Sequence, residues 1–171
     1  MIASLDIRER LIVRLAFSVG ARPGEIFALP WRHIAGDTAL IEQRVYRGKL
    51  GPVKNDIPRT AALPSSVVKD FAKWAELSFD LSPEAFVFPS EGSNGPGNRD
   101  SFWRHSIAPR LKEIGIGWVN FQVMRRTWHG IAVDINEYTQ TSFAAKLNAV
   151  QAVEMLLNAA GTEAAPLLET Q

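Results

Sequence analysis

No cysteine occurs among the 171 residues, so neither a disulfide framework nor a thiolate metal centre is open to this chain. Histidine is scarce too. His33, His105 and His129 show no chelating spacing, so no metal and no other cofactor is expected. No stretch approaches the roughly 20 apolar residues of a membrane span, and the N-terminus lacks a secretion-signal pattern. These absences point to a reducing cytoplasm and to no membrane partner. The net charge of only +1 by itself argues weakly for a polyanionic partner.

What is present is an ordinary globular composition, 46% hydrophobic and 22% charged. The length suits one domain that buries a core without staples. Charge is unevenly spread. Residues 1–60 hold ten Lys/Arg against six Asp/Glu, and residues 99–135 hold six against three. Residues 61–98 hold two against five, and residues 136–171 one against four. A basic face can therefore exist on a nearly neutral protein. The competing reading is that these cations only solvate helix surfaces.

Ile7, Leu11, Leu15 and Val19 recur at helical spacing, which predicts an amphipathic helix over 6–19. Pro23 suits the first turn of a second helix, with Arg22 at its mouth beside backbone N–H groups that favour an anion. Ala39–Tyr46 and Arg59–Leu63 alternate as strands, joined by a Gly/Pro/Lys-rich hairpin holding Lys49 and Lys54. Ser65-Ser66 offers a cap for a helix carrying Val67, Phe71, Trp74 and Leu77. A short apolar segment Phe86–Phe88 and a loop over 91–98 follow. Helices are expected over 101–114 and 121–133, the latter capped by Asn120, and a last one over 137–158. The class is mainly α with one small antiparallel β-sheet (α+β), with a single domain over 1–160 and a loose tail over 161–171.

Three residues stand out for chemistry. Arg22 in GARPGE and Arg125 in QVMRRT are 103 positions apart, and Tyr138 follows thirteen residues after Arg125. Two distant arginines and a late tyrosine are what cleavage of a phosphodiester by a tyrosine would require. Guanidinium groups meet non-bridging phosphate oxygens with paired, always-charged donors. Each has a structural competitor: Arg22 as a solvated residue at a helix start, and Tyr138 as a packed aromatic. Arg126 adjoins Arg125, so the two face different ways, and His129 lies one turn beyond.

The order of these pieces resembles the catalytic domain of the tyrosine recombinase (phage integrase) family. The first arginine box reads GARPGEIFALPWRHI, the hairpin-lysine segment GPVKNDIPRTAALP and the second box QVMRRT. The segment around the late tyrosine reads EYTQTSFAAKLNAV. The resemblance runs from Ile7 to Leu157. It implies DNA breaking and rejoining in site-specific recombination or integration, through a 3′-phosphotyrosine intermediate on duplex DNA, with no ATP or metal. It assigns phosphate binding to Arg22 and Arg125, attack to Tyr138 and proton donation to Lys54, with Lys49 in the same hairpin as the alternative. Lys49 and Arg126 would add DNA contacts, and a homo-oligomer on DNA is the implied assembly.

Three departures accompany it. Gln122 stands where the family has a histidine, and glutamine hydrogen-bonds but does not titrate. The family's segment between the second box and the tyrosine is not recognisable. One straight helix over 125–138 would hold Arg125 and Tyr138 about 20 Å apart. Either a break at Asp134–Asn136 or delivery of Tyr138 from a second protomer would be needed. The family's N-terminal clamp domain is also unseen, which leads to an expectation of weak DNA binding. Two rivals stay open: a DNA-binding remnant without turnover, and a helical protein-interaction domain.

Overall fold

The computed structural model describes residues 5–113 and 115–126. The expectations for His129, Tyr138, the helix over 137–158 and the tail lie outside the described residues.

Helix α1, Ile7–Ser18, buries Leu11, Ile12, Leu15 and Ala16. It packs on α3, Ser65–Leu77, where Asp70 ties the two together. The Asp70 carboxylate accepts from Arg10 Nε at 3.0 Å, Arg10 Nη2 at 3.1 Å and Arg14 Nη1 at 2.6 Å. Helix α3 differs in detail from the expectation. Pro64, not a serine, occupies the N-cap, and its carbonyl accepts from Val67 and Val68. Val67 and Phe71 are buried, but Leu77, the final helical residue, is 62% exposed.

The β-structure forms two sheets rather than one. Strands β1 (Ile34–Ala35), β2 (Thr38–Ile41) and β5 (Arg59–Ala62) make an antiparallel sheet in the order β1-β2-β5. Strands β3 (Gln43–Tyr46) and β4 (Lys49–Pro52) make a separate hairpin, with Tyr46 opposite Lys49. The expected single strand Ala39–Tyr46 is thus divided at Glu42. Two contacts draw its second half away from β2. Gln43 Nε2 donates to the Ala28 carbonyl at 2.6 Å, and β3 lies against α2, Pro23–Ile26. A Cβ at Gly24 would stand 2.5 Å from the Val45 carbonyl oxygen, so only glycine permits that approach. Lys49 and Lys54 consequently part company: Lys49 is on β4, and Lys54 opens a 3₁₀ turn, Lys54–Asp56, that leads to β5.

Val87 and Phe88 are fully buried, and Phe88 meets Phe27 edge-on. The 91–98 segment is tied at both ends, with Ser90 N donating to the Gly95 carbonyl and Gly97 N to that of Phe88. Asn98 Oδ1 then accepts from the amides of Asp100 and Ser101, which starts the next helix two residues earlier than Ser101. That helix runs through α4 (Arg99–Phe102), a π turn (Trp103–Ile107) and α5 (Ala108–Glu113). Residues 121–126 are helical, and Asn120 Oδ1 caps them as expected, at 2.9 Å from Gln122 N and 3.0 Å from Val123 N. One apolar core joins α1, α2, β2 and α3 to Leu111, Val119 and Met124. Among the described residues, no helix is long and apolar enough to cross a membrane, and no group of three His, Asp or Glu could hold a metal.

Candidate functional site

Arg22 is the N-cap of α2, with Pro23 in the first turn. The turn is closed by Glu25, whose side chain is wholly buried. Glu25 Oε2 accepts from the Arg22 backbone amide at 2.9 Å, and Oε1 from Arg22 Nη1 at 2.9 Å. The amide beside the expected anion site is therefore already bonded to a carboxylate of the protein. What Arg22 still presents outward is its guanidinium, whose side chain is 33% exposed.

A second arginine reaches the same carboxylate from β5. Arg59 Nη2 donates to Glu25 Oε2 at 2.6 Å and Nη1 to Oε1 at 3.3 Å, a two-pronged contact. Arg59 is not marked by any motif in the sequence. Its only signal there is a glutamate at a helix start, since a carboxylate that is fully buried calls for more than one cation.

Arg125 completes the group. Met124 beside it is fully buried and anchors the helical turn in the core, leaving Arg125 half-buried at the surface of that packing. Burial lowers the Arg125 pKa, the positive charges of Arg22 and Arg59 lower it further, and Glu25 opposes them. Arg125 thus shares one electrostatic neighbourhood with residues from α2 and β5. On Glu25, burial acts to raise the pKa, but hydrogen bonds from Arg59 and from the Arg22 amide and guanidinium outweigh it and hold the carboxyl below its ordinary value. Arg22 and Arg59 share the Glu25 carboxylate, and Arg125 lies within the electrostatic reach of all three.

The other candidates lie differently. Gln122 and Arg126 are exposed on the 121–126 turn, one helical turn apart. Lys54 is exposed next to the buried Val53, and Lys49 is exposed on the outer strand of the hairpin. Neither lysine forms an ion pair among the described residues. Tyr138 lies outside the described residues, so the geometry bears on the phosphate-binding half of the expected site and not on the nucleophile.

No family model matches the chain, and no curated protein matches it significantly in sequence. Solved structures do. The Tn1549 transposon integrase in complex with a circular-intermediate DNA superposes with a TM-score of 0.56 at 15% identity, over 86% of this chain and 52% of that one. The same integrase with transposon right-end DNA gives 0.54 at 15% identity, with the same coverage. The XerA recombinase gives 0.61 at 20% identity, over 97% of this chain and 61% of that one. The chain thus spans between half and two thirds of the length of those molecules. Its fold, helices around a small antiparallel sheet, is that of tyrosine recombinase catalytic domains.

Proposed function

We propose that this chain binds duplex DNA and holds one backbone phosphate at Arg22, Arg59 and Arg125, in a reaction of DNA breaking and rejoining. The observation that carries the reading is the half-buried Arg125 guanidinium held within the electrostatic reach of Arg22 and Arg59, both of which are fixed on the buried Glu25. Gathering like charges in a partly dry site costs free energy that an incoming anion returns. A phosphodiester has one negative charge and gains a second as a nucleophile adds to phosphorus, and clustered guanidiniums stabilise that growing charge. By analogy with single oxyanion-hole donors, each well-aimed guanidinium is worth ~3 kcal/mol in such a transition state.

In the full reaction the Tyr138 hydroxyl gives up its proton to solvent as its oxygen attacks phosphorus, and the bond to the 5′ oxygen breaks. Lys54, or Lys49 in its stead, gives a proton to the departing oxygen, and Gln122 hydrogen-bonds the phosphate or a water. The product is a 3′-phosphotyrosine that conserves the bond for rejoining, so neither ATP nor a metal is needed. A homo-oligomer on DNA, serving a mobile element in the cytoplasm, is the setting that fits. A second reading, DNA binding without turnover, is favoured by Gln122, which cannot shuttle protons as a histidine does.

Two measurements separate these. A gel shift with duplex DNA should be lost in the Arg22→Ala/Arg125→Ala double variant; an unchanged shift refutes the phosphate site. A nicked suicide duplex should trap a covalent adduct that disappears in Tyr138→Phe. Binding without any adduct leaves the non-catalytic reading.

A further inference from the structure

Asparagine followed directly by glycine occurs once in the chain, at Asn94-Gly95. The pair lies in the loop before α4, where Asn94 is exposed, and its carboxamide forms no hydrogen bond among the described residues. Asn98 and Asn120 are held differently. Each turns Oδ1 onto two backbone amides as a helix cap, at 2.9 and 3.0 Å, and each is followed by a residue with a long side chain, Arg99 or Phe121. A carboxamide that caps a helix is fixed and already bonded. That of Asn94 can turn toward its own main chain.

Gly95 leaves that approach open. Chain neighbours aside, a Cβ on it would have only Ser93 Oγ within 4 Å among the described residues, at 3.5 Å. Its N–H donates to the Ser93 hydroxyl at 3.3 Å, a long bond that belongs to no helix or sheet ladder. The residues around it are held more firmly. The Gly95 carbonyl accepts from Ser90 N at 2.9 Å, Pro96 bridges to Pro89, and Gly97 N donates to the Phe88 carbonyl at 2.8 Å. Gly97 has no room to yield, since a Cβ there would stand 2.7 Å from the Phe88 carbonyl oxygen and 2.9 Å from the rings of Phe27 and Phe102. Ser93, Gly95, Pro96, Arg47 and Arg99 are among the residues lining an open groove of about 690 Å³.

We propose that Asn94 is a site of spontaneous deamidation, in which the Gly95 nitrogen closes a succinimide on the Asn94 side chain and water opens it. Base removes the Gly95 amide proton, and the nitrogen bonds to Asn94 Cγ as the Cγ–Nδ2 bond breaks and ammonia leaves with a proton. Water then adds to one of the two ring carbonyls. Breaking the new N–Cγ bond gives aspartate. Breaking the original main-chain bond gives isoaspartate, with Cβ now in the main chain. Either product sets a carboxylate beside the groove that Arg47 and Arg99 line. Isoaspartate also lengthens the backbone by one atom just before the Ser90–Gly95 bond; Gly97 cannot take up the excess, so that bond breaks. The reaction uses no residue of the arginine group.

The test is peptide mapping by mass spectrometry after the full chain has stood in mildly alkaline buffer and, in parallel, in mildly acidic buffer. The Asn94 peptide should gain the mass difference between an amide and an acid and split into two chromatographic forms, while the Asn98 and Asn120 peptides stay unchanged. Conversion should quicken by as much as about tenfold per pH unit, as the ionised fraction of the nitrogen does. Gly95→Ala places its Cβ in ordinary contact at 3.5 Å, on a backbone without positive φ, and should slow conversion ~10-fold or more. Amide exchange at Ser90 should be faster in the isoaspartyl fraction, and Asn94→Asp, which adds the charge alone, should leave it as in the parent. An Asn94 that survives in the folded chain but converts in the urea-unfolded one overturns the proposal, because the fold then shields it. Equal rates in Gly95→Ala and the parent overturn the ring closure, and conversion of Asn98 or Asn120 ahead of Asn94 overturns its selection by the fold. Unaltered exchange at Ser90 in the isoaspartyl fraction overturns the breaking of the loop.

Discussion

Replacing Glu25 by glutamine tests the electrostatic logic of the site without changing its shape. The side chain is fully buried and accepts four hydrogen bonds from two arginines. Glutamine keeps the volume and one carbonyl acceptor but removes the counter-charge and turns an amide N–H₂ toward a guanidinium. Breaking a buried ion pair from one side typically costs about 3 to 5 kcal/mol. Here the arginine side chains keep 33% and 37% of their surface in water, so solvent takes up part of the released charge and about 2 to 3 kcal/mol is expected. With a urea m-value of about 2 kcal/mol/M, the midpoint should fall by about 1 to 1.5 M at neutral pH.

The pH dependence supplies the sharper test. The folded-state pKa of Glu25 lies below that of the unfolded chain. On acidification the unfolded chain therefore takes up the proton first. The stabilisation is whole above the unfolded carboxylate value and is lost as pH falls through the folded one. Glu25→Gln lacks that slope, so the stabilities of the two proteins should converge in acid. A midpoint within about 0.3 M of the parent at pH 7, or a gap that persists undiminished to about pH 3, refutes the reasoning.

Four further outcomes are expected. Gly24→Ala drives a Cβ to 2.5 Å from the Val45 carbonyl, so strand β3 must move and thermal unfolding should drop by about 2 to 10 °C; an unchanged Tm would show the approach to be slack. Asp70→Asn removes the charge shared by Arg10 and Arg14 between α1 and α3, and urea titration should show a loss of about 2 to 4 kcal/mol. His33 is buried, and burial lowers its pKa, with Arg32 adding to that and Glu42, 3.0 Å away, opposing it. The unfolded chain thus binds this proton first as pH falls below about 6.5, stability declines from there downward, and His33→Gln should flatten that decline in a pH series of melts. Arg59→Met should lower duplex affinity and reduce the salt slope by about 1; unaltered binding would exclude Arg59 from the phosphate site.

Much of this was legible before any coordinates. Helix α1 followed from the period of Ile7, Leu11, Leu15 and Val19, and the 121–126 turn from the cap at Asn120, because helix signals are local and repeat every few residues. Arg22 and Arg125 were singled out by residue type and motif order. The division of the β-region was not legible. Ala39–Tyr46 alternates well enough for one strand, and only the contacts of Gln43 with Ala28 and of Val45 with Gly24 pull its second half into another sheet. Leu77 fitted the apolar stripe of α3 but ends up in solvent, since periodicity identifies a face and not where the core stops.

The sequence by itself determined α1, α3 and the helical start after Asn120, which depend on neighbours within a turn or two, and it showed the two arginine boxes by residue type and order. Only the tertiary structure decided that a buried Glu25 gathers Arg22 from α2 and Arg59 from β5, and that Arg125 feels both. A carboxylate does not choose partners by sequence distance. Folding removes it from water, and the cations that the chain then brings within reach become the site.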